Sequence, residues 1–241
     1  MKRFDGRGAD QLRSVQFQRG FTENAEGSVL VSFGRTRVLC TVSAVSQVPH
    51  FQQSKGEGWL TAEYAMLPGS VEGRKPREVG RRDGRSVEIQ RLIGRSLRSI
   101  LDLSAFPNHT LHVDCDVLQA DGGTRCAAIT GACMALHDAL RTLSGRQQLR
   151  HWPMLDWLAA VSVGVVRDQE LLDLNYGEDF DAVVDMNVIG TAGGRLVEVQ
   201  ATAEGDPFPQ DSFQRLLDLA MAGVAEITEL QKQVVEGGLP V

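Results

Sequence analysis

Apolar residues recur along the chain with two different spacings, and these spacings predict alternating strands and helices. From residue 111 to residue 117 every second position is apolar, which predicts a strand with one buried face. The apolar run at 157–166 is about half the roughly 20 residues that cross a bilayer, so we interpret it as a buried strand. Segment 173–205 contains two strand-like runs joined by Ala-Gly-Gly, a pattern typical of a β-hairpin.

Three other segments repeat their apolar residues at helical spacing, once every three or four positions. They are residues 86–101, the segment that follows Gly123, and residues 212–234. In the second of these the spacing predicts a single buried stripe, formed by Ile129, Ala132, Cys133, Leu136 and Leu140. Each half of the chain therefore has a hairpin, a loop and a later helix, which is a weak internal repeat.

Composition is that of an ordinary globular protein, with 42% hydrophobic and 23% charged residues among 241. The charged N-terminus lacks the apolar core of a signal peptide, so we expect a cytoplasmic protein without a membrane partner. The four cysteines have neither Cys-x-x-Cys spacing nor nearby histidines. This argues against a zinc site or a disulfide framework and predicts buried, reduced thiols. They are Cys40, Cys115, Cys126 and Cys133.

The net charge of −6 conceals one strongly basic segment. Residues 74–98 contain nine arginines and lysines against three acidic residues, a local excess of six. The first part of the segment contains Gly and Pro without periodicity, and we interpret it as a basic loop that contacts a nucleic-acid backbone. Its basic residues are Arg74, Lys75, Arg77, Arg81 and Arg82. Arg91, Arg95 and Arg98 fall on the predicted helix and are interpreted as a solvated face. Arg85 lies at the helix start, where it could contact a second anion.

The sequence Gly122-Gly123-Thr124-Arg125 lies between the strand at 111–119 and the following helix. Free backbone N–H groups and the positive end of the helix dipole converge at a helix N-terminus, and glycines let an anion approach closely. Arg125 and the Thr124 hydroxyl would complete such an anion site. The alternative is a tight turn whose arginine only faces solvent, and the motif alone does not decide between them.

Two carboxylates in the C-terminal third could form the other side of a site. Asp185 lies on an otherwise apolar strand, on the same face as Asn187, and a carboxylate there needs a compensating partner. Asp179 lies six residues earlier in an acidic turn, and both could converge on one divalent cation. Mg²⁺ accepts one or two carboxylates together with waters and substrate phosphates. The alternative is one aspartate that caps a turn and another satisfied by backbone groups.

The chain resembles the ribonuclease PH family, bacterial phosphate-dependent 3′-to-5′ exoribonucleases that trim the 3′ ends of transfer RNA. Seven blocks carry the resemblance in the same order, nearly from end to end: RFDGRGADQLR, AEGSVLVSFGRTRVLCT, GWLTAEYAMLP, GRSVEIQRLIGRSLR, QADGGTRCAAITGA, LDLNYGEDFDAVVDMNV and LVEVQATAEGDPF. The resemblance implies an α/β fold of the α+β type, with two similar sheet-and-helix halves packed together. We place these halves at residues 1–150 and 151–241.

The resemblance also implies a reaction and a set of site residues. Inorganic phosphate as co-substrate would attack the 3′ end of tRNA precursors or other RNAs and release nucleoside 5′-diphosphates. Arg85, Gly123, Thr124 and Arg125 should bind this phosphate, and Asp179 and Asp185 should be the catalytic carboxylates that hold Mg²⁺ or Mn²⁺. The basic loop should hold the tRNA acceptor stem, and the assembly should be a homohexamer, a trimer of dimers.

One departure and two rival functions accompany this interpretation. The chain has Gly69-Ser70 where the family pattern usually has Arg followed by a small residue, so one RNA contact is missing or has moved. A catalytically silent RNA-binding subunit is disfavoured because Arg85, Arg125, Asp179 and Asp185 are all present. A phosphotransferase that uses the turn as a phosphate loop is disfavoured because the Gly-x-x-x-x-Gly-Lys-[Ser/Thr] spacing is missing.

Overall fold

A computed structural model of the chain describes residue 3, residues 5–77 and residues 83–237. The N-terminal half contains a five-stranded sheet in the order β1, β2, β3, β5, β4, in which only β4 and β5 are parallel neighbours. Its strands are β1 (Val15–Arg19), β2 (Gly27–Phe33), β3 (Thr36–Val45), β4 (Trp59–Met66) and β5 (Thr110–Gln119). Helix α1 (Gly84–Arg98) packs on β4, the edge strand of this sheet.

The C-terminal half contains a second, fully antiparallel sheet in the order β7, β6, β8, β9. Its strands are β6 (Leu158–Val166), β7 (Gln169–Leu172), β8 (Val184–Thr191) and β9 (Leu196–Ala203). In the described residues, α1 is followed by α2 (Thr124–Gly145), which comes after the last strand of the first sheet, and by α3 (Tyr176–Asp181) and α4 (Gln210–Gly237) of the C-terminal half. Short 3₁₀ turns occur at His50–Lys55, Pro68–Ser70 and Leu103–Ala105. The protein is a mixed α/β fold with two sheet-and-helix halves, as predicted.

The strands predicted from periodicity are confirmed. Alternate residues of β5 are buried, and β8 and β9 form the expected hairpin. Strand β6 is buried on both faces because α2 and α4 cover it from opposite sides, which explains its continuous apolar run. Gln231 of α4 joins all three elements, since its Nε2 donates to the carbonyl oxygens of Thr130 in α2 and Leu158 in β6, each at 3.1 Å.

Helix α2 differs from its prediction, because it has no solvent-facing side over most of its length. From Cys126 to Leu140 every residue except Asp138 is buried. The helix packs against β2, β3 and β5 of the first sheet and against β6 of the second. Small residues permit this close packing: a Cβ atom at Gly131 would lie 2.4 Å from Cγ1 of Val31. The helix and the five buried residues of its predicted stripe are confirmed, but this stripe is not the sole buried face, because α2 lies between the two sheets.

Two predictions for the segment around α1 also need correction. The helix spans Gly84–Arg98 rather than 86–101, although Ile100 beyond its end is buried. Arg91 and Arg95 are exposed, as predicted, but the Arg98 guanidinium lies over the Trp59 ring, 4.7 Å from its centroid. Arg98 also donates from Nη1 to the carbonyl oxygen of Leu60 at 2.9 Å. The stem and head of this arginine therefore pack on β4 instead of extending into water.

The four cysteines are buried and free, as predicted. No helix among the described residues combines the length and hydropathy that a membrane span requires.

Candidate active site

The Gly-Gly turn between β5 and α2 has the backbone geometry that only glycine adopts easily. Gly122 and Gly123 have φ values of +75° and +64°, in the left-handed region that disfavours residues with a Cβ. Gly123 is the N-cap of α2 and has no side chain with which to cap the helix. The N–H groups of a first helical turn have no acceptor within their own helix, which suits them to an anion.

Polar contacts hold the two side chains that follow the turn. The Thr124 residue is buried, and its hydroxyl accepts a hydrogen bond from the Tyr64 hydroxyl of β4 at 2.9 Å. Arg125 donates from Nη1 to Oε1 of Gln200 on β9 at 2.7 Å, and Nη1 also lies 3.6 Å from Oε1 of Glu88 on α1. The Arg125 side chain remains 17% exposed, so it faces a crevice and not the core.

Arg85 reaches the same region from the N-terminus of α1. This helix starts at an N-cap aspartate, Asp83, whose Oδ1 accepts a hydrogen bond from the Ser86 backbone N–H at 2.6 Å. Burial raises the pKa of both Tyr64 and Asp179, and the charge of the exposed Arg85 opposes this rise at each of them. Two helix N-termini therefore each place one arginine within electrostatic range of Asp179.

Asp179 lies on α3, the short helix into which the acidic turn folds. Asn175 and Glu178 form a capping box at its start, with hydrogen bonds of 3.0 Å in both directions. Burial raises the pKa of the Asp179 carboxyl above its ordinary value, whereas the charges of Arg85, Arg125 and Arg13 act in the opposite direction. This carboxylate is therefore partly dehydrated but lies within electrostatic range of three arginines.

Asp185 lies on β8, on the face of the sheet that meets α2. Its neighbour on that face, Asn187, donates from Nδ2 to Oδ2 of Asp185 at 3.2 Å and accepts a contact from the Cys126 thiol of α2 at 3.3 Å. Burial, reinforced by the negative charge of Asp179, raises the pKa of Asp185 to about 6, although Arg125 lowers it. The structure thus brings Asp179, Asp185 and Arg125 within electrostatic range of one another.

The basic loop is only partly described. Arg74 and Arg77 are exposed, Arg81 and Arg82 lie outside the described residues, and Arg74 has a left-handed φ of +64°. Lys75 pairs through Nζ with Oδ2 of Asp83 at 2.5 Å, which joins the loop to the start of α1 beside Arg85. This lysine therefore has an acidic partner within the chain, whereas the sequence suggested only an RNA phosphate.

Comparison with known protein families decides the relationship. The model of domain 1 of the 3′ exoribonuclease family matches residues 11–141, and the model of domain 2 of the same family matches residues 156–223. The protein belongs to the 3′ exoribonuclease family. The two matched regions contain Arg85, the Gly-Gly turn with Thr124 and Arg125, and both aspartates.

Solved structures of similar fold include proteins from plants and archaea. Rice Rrp46 is 20% identical with a TM-score of 0.79, and the match covers 97% of this chain and 100% of that one. The exosome of Archaeoglobus fulgidus with RNA bound to the active site is 24% identical with a TM-score of 0.80, covering 95% and 92% of the two chains. An archaeal exosome core is 24% identical with a TM-score of 0.77, covering 96% and 91%. This exoribonuclease-family chain therefore shares its fold with exosome subunits.

Several site residues of this family member had not been found from the sequence. Gln200 faces Asn187 across the β8–β9 ladder, and Thr202 faces Asp185, so the period-two pattern of β9 could have shown that Gln200 shares their face. Tyr64 carries no comparable signal, because a buried hydroxyl is recognised only from its tertiary contacts.

The aspartates fit a divalent cation better than a closed structural metal site. Among the described residues no group of three or more His, Cys, Asp or Glu side chains could hold a metal ion. However, the buried Oδ1 of Asp185 accepts no hydrogen bond from any residue in this described part of the chain. Two carboxylates with an unpaired oxygen suit Mg²⁺, which keeps several waters and takes further oxygen ligands from substrate phosphates.

Proposed function

We propose that this protein is a phosphorolytic 3′-to-5′ exoribonuclease of the ribonuclease PH type, which trims the 3′ ends of tRNA precursors. The observation that supports it best is the convergence of two arginines and two carboxylates. Arg125 donates to Gln200, which lies on the same face of the β8–β9 ladder as Asp185. The charges of Arg85 and Arg125 also oppose the burial that raises the pKa of Asp179. This arrangement can hold an anionic nucleophile beside the phosphodiester that it attacks.

In the proposed reaction, an oxygen of inorganic phosphate attacks the phosphorus of the last phosphodiester of RNA. The bond from that phosphorus to the 3′ oxygen of the preceding nucleotide breaks, and the 3′ oxygen takes up a proton. A nucleoside 5′-diphosphate is released. Because phosphate arrives ionised, the site needs positioning and charge neutralisation more than a strong base. The reverse reaction should run when nucleoside diphosphate is abundant.

The arginines have the chemistry for the phosphate side of this reaction. A guanidinium binds phosphate oxygens with two parallel hydrogen bonds and stays charged at any working pH. Arg125 is held in place by Gln200, and Thr124 by Tyr64. Both residues belong to the first turn of α2, so an anion there would meet side-chain and backbone donors together.

Asp179 and Asp185 would hold Mg²⁺, or Mn²⁺, on the side of the scissile phosphate. When bound, the cation would supply charge stabilisation to that phosphate and to the leaving 3′ oxygen. The two carboxylates hold their relative positions because α3 is fixed by its capping box and Asp185 by Asn187.

Exposed Arg74 and Arg77 support an RNA partner, together with Arg81 and Arg82 of the same loop. Nucleic acid held by such a loop would bind with strong salt dependence. The exosome structure of similar fold that carries RNA in its active site supports the same class of partner. A homohexamer, assembled as a trimer of dimers, would let loops of neighbouring subunits grip one tRNA.

One assay tests the reaction. RNA labelled at its 3′-terminal nucleotide is incubated with the protein and Mg²⁺, with and without inorganic phosphate, and the released nucleotide is identified. We expect nucleoside 5′-diphosphate, and only when phosphate is present. Release of monophosphate would instead mean hydrolysis, and no release would mean an RNA-binding subunit.

A second assay tests the preference for tRNA. The triple variant Arg77→Ala, Arg81→Ala, Arg82→Ala should lose efficiency on a tRNA precursor but degrade a short single-stranded oligonucleotide almost normally. The short substrate reaches only the active site and therefore serves as the internal control. Equal losses of kcat/KM on both substrates would contradict the assignment of the loop to tRNA.

A further inference from the structure

The N-terminal block RFDGRGADQLR ends at Arg13, a buried arginine that contacts both sides of the candidate active site. Its side chain is only 4% exposed. Nε and Nη2 donate to the two carboxylate oxygens of Asp173, at 3.0 and 2.7 Å. Nη1 donates to the carbonyl oxygen of Asp121 at 2.6 Å. One guanidinium therefore joins the segment that leads into α3 to the turn that leads into α2.

These two segments also touch each other through their backbones. A Cβ atom at Gly122 would lie 2.6 Å from the carbonyl carbon of Asn175 and 2.7 Å from the carbonyl oxygen of Leu174. The turn that precedes Thr124 therefore packs directly on the N-cap of the helix that carries Asp179. A displacement of one segment must move the other or open a gap between them.

Asp173 is fixed from several directions in a conformation that is unfavourable for a residue with a Cβ. Its φ is +54°, in the left-handed region. Its backbone N–H donates to the Ser162 carbonyl at 2.7 Å, and its own carbonyl accepts from Nη2 of Arg3 at 2.9 Å. Its carboxylate also accepts the backbone N–H of Arg13 at 2.8 Å. These hydrogen bonds together hold Asp173 in the left-handed conformation.

We propose that Arg13, through its pair with Asp173, is a positioning residue that fixes the distance between the phosphate-binding turn at residues 123–125 and the carboxylate of Asp179. The inference rests on the proposed function and extends it to a residue outside the assigned site. Arg13 does not touch the substrates, because its guanidinium is buried and already committed to Asp173 and Asp121.

Lysine in place of Arg13 separates charge from geometry. It keeps the positive charge but has a single nitrogen, which cannot bind both oxygens of Asp173 and the Asp121 carbonyl in the planar arrangement of a guanidinium. A misplacement of about 1 Å between reacting groups can cost up to about 100-fold in rate. Arg13→Lys should therefore affect the reaction even where the protein stays folded.

The experiment measures steady-state kinetics against phosphate and against a short RNA, for the wild type and for Arg13→Lys. We expect KM for phosphate to rise and kcat to fall, so that kcat/KM for phosphate drops by about 10- to 100-fold. KM for RNA should not change. Asp173→Asn is the second variant and should give the same pattern, because asparagine tolerates the left-handed conformation but loses the charge that orients Arg13.

Arg19→Lys is the matched control, since Arg19 makes the same two-bond contact with Asp138, at 2.9 and 2.5 Å. Asp138 lies 14 residues along α2 from Thr124, about 20 Å away at the rise of an α-helix. This variant should leave both constants for phosphate unchanged. Each protein is also checked for its thermal midpoint, and activities are compared at a temperature where all are folded.

The outcomes separate the two proposals. If the wild type releases nucleoside diphosphate but Arg13→Lys and Asp173→Asn both keep its KM for phosphate, the positioning role is refuted and the proposed function stands. A merely structural role would lower kcat through a smaller active fraction and leave KM for phosphate unchanged. If the wild type shows no phosphate-dependent release, the proposed function fails, and the inference that rests on it fails too.

Discussion

Asp185→Asn should stabilise the protein at neutral pH in the absence of divalent cations. Asp185 is a largely buried carboxylate whose Oδ1 accepts no hydrogen bond from the described residues and whose neighbour Asp179 repels it. Asparagine keeps its size and can still accept the hydrogen bond from Asn187. The substitution therefore removes an unfavourable charge with little change in packing.

The size of the effect follows from the pKa of this carboxyl. A rise from the ordinary value of 3.8 to about 6 corresponds to about 3 kcal/mol between the charged and neutral forms. Asp185 retains some solvent contact, so we expect ~1–2 kcal/mol after screening. That amount is large compared with the effect of most surface substitutions, which lie within about 0.5 kcal/mol.

The pH at which the stabilisation by Asp185→Asn appears follows from the raised pKa of Asp185. Below the unfolded pKa of 3.8 the carboxyl is protonated in both states, and the variant has no advantage. Between that value and about 6 the folded state keeps a proton that the unfolded state has released, so the contribution of Asp185 to wild-type stability falls as pH rises. The stabilisation of Asp185→Asn should therefore grow across this interval and stay constant above it.

Urea denaturation in EDTA at several pH values measures this difference, with Asp181→Asn as the control. Asp181 is a neighbouring carboxylate whose side chain is 42% exposed and pairs with Arg167 at 3.2 Å, so its replacement should change stability little. Added Mg²⁺ should raise wild-type stability by about 1.4 kcal/mol at ten times its Kd and leave Asp185→Asn unaffected. A variant that is less stable than wild type at pH 7.5 in EDTA would refute the reasoning about the buried charge.

Three further substitutions have distinct expected results. Arg125→Ala should stay folded but lose about 10- to 150-fold in kcat/KM for phosphate, which corresponds to the ~1.5–3 kcal/mol of a charge-assisted hydrogen bond. Wild-type rates at low phosphate would contradict this prediction. Gly122→Ala should lower the free energy of unfolding by ~2 kcal/mol or more, because the new Cβ would lie 2.6 Å from the carbonyl carbon of Asn175. Gly20→Ala is the control and should cost only ~1 kcal/mol, because a Cβ there enters open space. Gly69→Arg should steepen the slope of log affinity for tRNA against log salt concentration by about 0.9, because the new side chain enters open space and can add one phosphate contact. An unchanged slope would place residue 69 away from the RNA.

Elements with one buried face were predicted well from the sequence, because a period of two or of 3.6 records which side meets the core. Strand β5 and the β8–β9 hairpin are examples. Helix α2 was predicted less well, because burial on all sides leaves no polar face to mark the period. The apolar stripe that the spacing indicated is only one of several buried faces of this helix.

The residues of the candidate site also differ in how well they can be predicted from the sequence. Arg125 and Asp185 could be identified from the sequence because a charged residue after a Gly-Gly turn, or inside an apolar strand, is locally unusual. Gln200 and Arg13 act through contacts with segments 75 and 160 residues away along the chain, and local pattern contains no information on such contacts. Lys75 shows the converse case, because its ion pair with Asp83 was invisible in a stretch that reads as a basic run.

The position of α2 between the two sheets also affects how the protein unfolds and exchanges its amide hydrogens. Because this helix supplies core residues to both halves, neither half encloses a complete core without it, and we expect the halves to unfold in one transition. Amide hydrogens in the middle of α2 should therefore exchange with solvent only through global unfolding, among the slowest in the chain. Thr124 and Arg125 project from the end of that helix. The proposed phosphate-binding side of the site is thereby built on one of the most exchange-protected elements, whereas we expect the amides of the six-residue helix that presents Asp179 to exchange faster.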